Sequence, residues 1–75
     1  MEIKDGVLIK VEPEDLIDGT FTIPDTVIEI GEEACRKLIG LKRIKIPDSV
    51  KTIKENAFTE CYNLTDVEFP KGLKY

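Results

Sequence analysis

Residues 43–53 read RIKIPDSVKTI, and one period of 23 residues upstream residues 20–30 read TFTIPDTVIEI. A third, shorter version, DVEFPKGLKY, occupies 66–75. Laying 21–43 on 44–66 without a gap matches Ile23 with Ile46, Pro24 with Pro47, Asp25 with Asp48, Val27 with Val50, Ile30 with Ile53, Glu32 with Glu55, Ala34 with Ala57 and Leu41 with Leu64. Unrelated segments of that length share about one or two residues, so the chain repeats itself with a fixed period. A gapless period means that each copy is one coil of a solenoid, with equivalent residues stacked from coil to coil.

Within a copy the pattern changes along the chain. Leu41, Ile44 and Ile46 are apolar and Arg43 and Lys45 between them are charged; Leu64, Val67 and Phe69 do the same around Asp66 and Glu68. Such alternation is the mark of a half-buried strand. Strands recurring once per coil in one direction form a parallel ladder. The proline that follows donates no ladder bond and ends the strand, and Pro-Asp opens a turn. The return arm starts with Val27 and Ile30, or Val50 and Ile53. Next come EEACRKL (32–38) and ENAFTEC (55–61), where Ala57, Phe58 and Cys61 share a helical face. One or two helical turns packed on each coil are expected there. The central core is expected to consist of Ile46, Val50, Ile53, Ala57, Phe58, Leu64 and Val67.

The frame L-x-x-I-x-I-P-D-S-V-x-x-I-x-x-x-A-F-x-x-C-x-x-L, read from Leu41 to Leu64, resembles the treponemal-type leucine-rich repeat of BspA-like bacterial proteins. The resemblance covers 20–75 and implies an α/β solenoid, right-handed, with a parallel sheet on its concave side. It also implies surface-associated adhesion or other protein binding, usually by longer arrays. Two positions depart from the pattern, both in the first coil: Cys35 stands where the next coil has Phe58, and Asp18 where later coils have Leu41 and Leu64.

The N-terminal piece is a separate element. Glu2–Lys4 and Val7–Lys10 flank Asp5-Gly6, a two-residue hairpin signal. The hairpin is expected to cap the exposed top edge of the parallel ladder. EPED (12–15) and DG (18–19) read as loop. The chain is thus one domain: a cap and lead-in over 1–19, a first repeat over 20–43, a second over 44–66 and a truncated third over 67–75.

The 75 residues suffice for one small domain and bury a modest core. A net charge of −4 argues against a nucleic-acid backbone or an anionic membrane as partner. No apolar run has the length of a membrane helix, and the charged N-terminus is no signal peptide. As it stands the chain is expected in the cytoplasm, and at the cell surface if it is a fragment of a longer family member. Without histidine there is no Ser-His or Cys-His pair, and no phosphate loop appears. No catalytic residue, cofactor or metal site is assigned; the acidic cluster Glu12, Glu14, Asp15 and Asp18 reads as a solvated loop rather than a calcium site. Cys35 and Cys61 read as reduced, packed thiols, since their spacing of 26 does not make them stacked equivalents.

Two surfaces remain as binding candidates. Thr20, Arg43 and Asp66 are equivalent, as are Thr22, Lys45 and Glu68, so they line the exposed face of the ladder. Cross-strand pairing accounts for such a row; recognition of a protein partner is the functional reading. The short third copy suggests a second site. Phe69, Leu73 and Tyr75 are expected to join two copies into a homodimer through the C-terminal end. A protein-interaction module is the first functional reading. A small acidic inhibitor of a nucleic-acid-binding protein, phage- or element-encoded, is the alternative.

Overall fold

The computed structural model describes residues 1–70. Among these residues seven short strands form two ladders. One consists of β3 (Thr20–Thr22), β5 (Arg43–Lys45) and β7 (Asp66–Glu68), all parallel. The other holds β1 (Glu2–Lys4), β2 (Val7–Lys10), β4 (Glu29–Ile30) and β6 (Thr52–Ile53) in that order. Its first pair is antiparallel and the next two are parallel. The chain therefore alternates between two faces of a repeat, and the 23-residue period sets the register: Thr20, Arg43 and Asp66 stand side by side, as do Glu29 and Thr52.

Between the ladders lies a single core. Leu8, Val27, Ile30, Cys35, Leu41, Ile44 and Val50 are buried almost completely. Of the residues expected at its centre, Ile46, Val50 and Ala57 are buried, whereas Ile53, Phe58, Leu64 and Val67 only pack against it half-covered. Most of the fully buried residues belong to the hairpin and the first coil rather than to the second. Those of the first coil are covered from above by the N-terminal hairpin and from below by the next coil.

The return arms correct the sequence reading. Residues 32–37 and 55–60 form consecutive turns, and no α-helix occurs among the described residues. The cause is in the backbone. Glu33 and Lys37 take positive φ (59° and 61°), as do their equivalents Asn56 and Glu60 (both 63°). A left-handed residue every fourth position breaks a right-handed helix. The amides are also committed elsewhere: Cys35 N–H donates to Ala57 O (2.8 Å) and Lys37 N–H to Thr59 O (2.9 Å), one coil on. Helical bonding would have to give up these bonds between coils.

The hairpin forms at Asp5-Gly6, where both residues have positive φ (51° and 80°), as the tight two-residue turn requires. It caps a different ladder from the one expected. β2 pairs in parallel with β4, so the hairpin acts as an extra coil for the return arms, and Leu8 stacks on Ile30 and then Ile53. Its approach is close: Leu8 O accepts from Gly31 N–H at 2.9 Å, and a Cβ at Gly31 would lie 2.8 Å from that oxygen. The outer edge of β3 is handled by a second Asp-Gly turn. Asp18 and Gly19 also have positive φ, and Ile17 and Thr20 exchange bonds of 2.9 and 2.8 Å across them. Asp18 stands in this turn, on the surface, where later coils have a leucine packed in the core or against it.

Behind the hairpin, a single 3-10 turn spans Pro13–Asp15. Asp15 accepts from the Met1 amine (2.6 Å) and from Glu12 N–H (2.9 Å). Those bonds, the amine first, hold its carboxyl below the usual carboxylate range.

Candidate functional site

The strands β3, β5 and β7 turn one face to the core and the other to solvent. Phe21, Ile44 and Val67 point inward; Thr22, Arg43, Lys45, Asp66 and Glu68 are exposed and Thr20 half-exposed. Period-two alternation on a ladder with equivalents in register places all six residues singled out from the sequence on one surface. Across the strands the surface passes from two hydroxyls on β3 to two cations on β5 and two anions on β7.

The charged rows interact. Arg43 Nε donates to Asp66 Oδ2 at 2.8 Å, with both side chains about half exposed. At such exposure an ion pair contributes about 0.2–1 kcal/mol, so it orders the two side chains more than it stabilises the fold. Lys45 stands beside Glu68 in register, but no ion pair joins them among the described residues. A shallow hollow of about 340 Å³ lies over Arg43, Lys45, Asp66, Val67 and Glu68.

A neighbouring hollow of about 320 Å³ adds residues that the sequence reading passed over. It is lined by Asp18, Thr20, Lys42, Arg43, Thr65 and Asp66. Lys42 and Thr65 are equivalents one step before their strands, where the N–H groups of Lys42 and Arg43 both bond Gly19 O and those of Thr65 and Asp66 both bond Lys42 O. The period that identified Arg43 and Asp66 marks this pair too, if applied one residue earlier.

The structure does not join all the candidates. Phe69 lies on the core side of the ladder's end, 54% exposed, away from the charged face. Leu73 and Tyr75 lie outside the described residues. The cysteines are unlinked. Cys61 Sγ is 2.7 Å from Cys35 O, and burial, followed by the nearby Cys61, pushes the Cys35 thiol up to about 12. Burial raises Cys61 as well. Thiols held protonated in this way are poor nucleophiles.

A family model described as the BspA type leucine-rich repeat region (6 copies) matches residues 19–75. The chain belongs to that family. No curated protein and no solved structure matches it. The matched span begins at Gly19, the carbonyl that receives the first inter-coil bonds of the strand ladder, and takes in every strand of the exposed charged face. The BspA-type repeat is thus the unit that puts Thr20, Arg43 and Asp66 in one row.

Proposed function

We propose that this chain is a protein-interaction module without catalytic activity, and that its partner binds the exposed face of β3, β5 and β7. Thr20, Thr22, Arg43, Lys45, Asp66 and Glu68 form the binding surface. The observation that carries the reading is the register, which fixes hydroxyl, cation and anion rows side by side on a rigid ladder. A surface of this composition favours specificity and fast association over tight binding, since complementary charge steers encounter and no aromatic anchor is present. The acidic-inhibitor reading is less well supported, because each acid on β7 stands beside a base on β5, which weakens any phosphate-like field.

A photoreactive group at Thr22 tests the proposal with cells of the native source. Cross-linked partner should be lost on Lys45→Glu and kept on Lys54→Glu, a change on the opposite ladder's side. Cross-linking indifferent to Lys45 and sensitive to Lys54 would place binding on the return arms instead.

A further inference from the structure

β7 pairs with β5 on one side, and among the described residues no strand pairs with its other side. Its bonds to β5 run through Asp66, whose N–H donates to Lys42 O (3.2 Å), and Glu68, whose carbonyl accepts from Ile46 N–H (2.9 Å). Backbone groups alternate sides along a strand in a ladder, so the N–H and C=O of Val67 are directed to the outer edge. The side chains beside that edge divide by face. Asp66 and Glu68 stand on the exposed face, and Val67 borders an open apolar hollow of about 330 Å³ with Ile53, Phe58 and Phe69.

We propose that this edge accepts an extended segment of another polypeptide with a basic–apolar–basic pattern, which joins the ladder as a further strand. Recognition of this kind combines main-chain bonds with alternate side-chain contacts. The template is already in the molecule. β5 has this pattern in Arg43-Ile44-Lys45, lies against the inner side of β7, and places Arg43 2.8 Å from Asp66. The same pattern on the outer side sets its two bases beside Asp66 and Glu68 and turns its apolar residue toward the hollow. Charge distinguishes this occupant from a second copy. In each symmetric antiparallel pairing of β7 with its own copy that uses the Val67 groups, Asp66 or Glu68 faces another acid. Like charges directly opposite are destabilising. A basic segment meets the opposite condition.

The test uses the full chain and the capped peptide LKRIKIP, which has the sequence of residues 41–47. A second peptide carries glutamate at its three basic positions. Fluorescence anisotropy at low salt should show the basic peptide binding at least about tenfold more tightly than the acidic one, with the difference shrinking as salt is raised. D66K/E68K should reverse the preference. Because that variant also removes the partner of Arg43, D66N/E68Q should be melted in parallel; it is expected to keep its fold and to bind the basic peptide more weakly. Methylating one alternate set of peptide amides should abolish binding, and methylating the other should not. Equal binding of both peptides, or of neither, overturns the proposal. So does indifference to both methylations, which would leave charge attraction without a strand. Sedimentation showing a dimer that excludes the peptide would assign the edge to a second copy.

Discussion

Successive coils repeat one apolar pattern, yet their equivalent positions are not equally well buried. Ile30, Leu38, Leu41 and Ile44 are buried, while their equivalents one period later, Ile53, Cys61, Leu64 and Val67, are only half-covered. Ile46 is 4% exposed and its equivalent Phe69 54%. Side-chain chemistry hardly differs between the pairs, so the contrast comes from neighbours. The first coil lies between the hairpin and the second coil, and the second has a described neighbour on one side only over most of its length. In a stacked repeat, burial belongs to the interface between coils rather than to the coil.

Thiol chemistry offers the widest separation. At neutral pH the half-exposed Cys61, though slowed because burial raises it, should still react with a disulfide reagent in the folded protein, and Cys35, fully buried and raised to about 12, only through unfolding. For a small domain near 5 kcal/mol of stability, the rates should differ by about three orders of magnitude. Equal rates would mean that the upper coil opens as readily as the lower. Truncating the stacked leucines gives the next effect. Leu41→Ala should cost about 3 kcal/mol in denaturant unfolding and Leu64→Ala about half as much, since the second leaves a smaller dry cavity. Equal losses would show that the lower face is covered in solution. Phe58→Ala belongs with the lower set, at about 2 kcal/mol, because Phe58 is half-exposed.

The hairpin can be pried off by one methyl group. Gly31→Ala pushes a Cβ against Leu8 O at 2.8 Å and should cost about 1–3 kcal/mol, whereas Lys54→Ala at the equivalent position of the second coil should be within about 0.5 kcal/mol of the parent. The smallest effect concerns acid. Asp15 is more readily ionised folded than unfolded, so its contribution is present above the usual carboxylate range and fades as pH falls through its lowered value. Asp15→Asn should flatten that part of the acid limb of the melting curve and leave the neutral region alone. An unchanged acid limb would mean that the cap's N-terminal contact does not persist in solution.

Much of this was legible because stacking enforces equivalence. A period of 23 gave the parallel ladder, the pairing of Arg43 with Asp66 and the exposed face, since each follows from position alone. The Asp5-Gly6 turn was legible from local chemistry. The return arms were not, because the apolar spacing around Ala57 and Cys61 suits a helix, and only the left-handed Glu33, Lys37, Asn56 and Glu60 exclude one. None of those residues carries the glycine that announces positive φ. Asp18-Gly19 carries the same signal, but no alternating apolar run precedes it in the sequence, and only an isolated bridge at Ile17 forms there.

The spacing of the bonds between coils has a consequence for how the chain reaches its fold. Gly31 bonds Leu8, Lys51 bonds Ile28, Thr65 bonds Lys42 and Val11 bonds Ala34, each across 23 residues. The other bonds between coils span 22 to 24 residues, so each closes a loop of nearly one size, and none of them among the described residues joins distant parts of the chain. The entropy of closure is then a fixed toll per coil, independent of how many coils follow. As a chain of this kind emerges during synthesis, the hairpin is finished first and offers Leu8 to Ile30, whose coil in turn offers Leu41 to Leu64. Folding can keep step with elongation from the first strand onward, and adding repeats lowers the relative contact order instead of slowing the search.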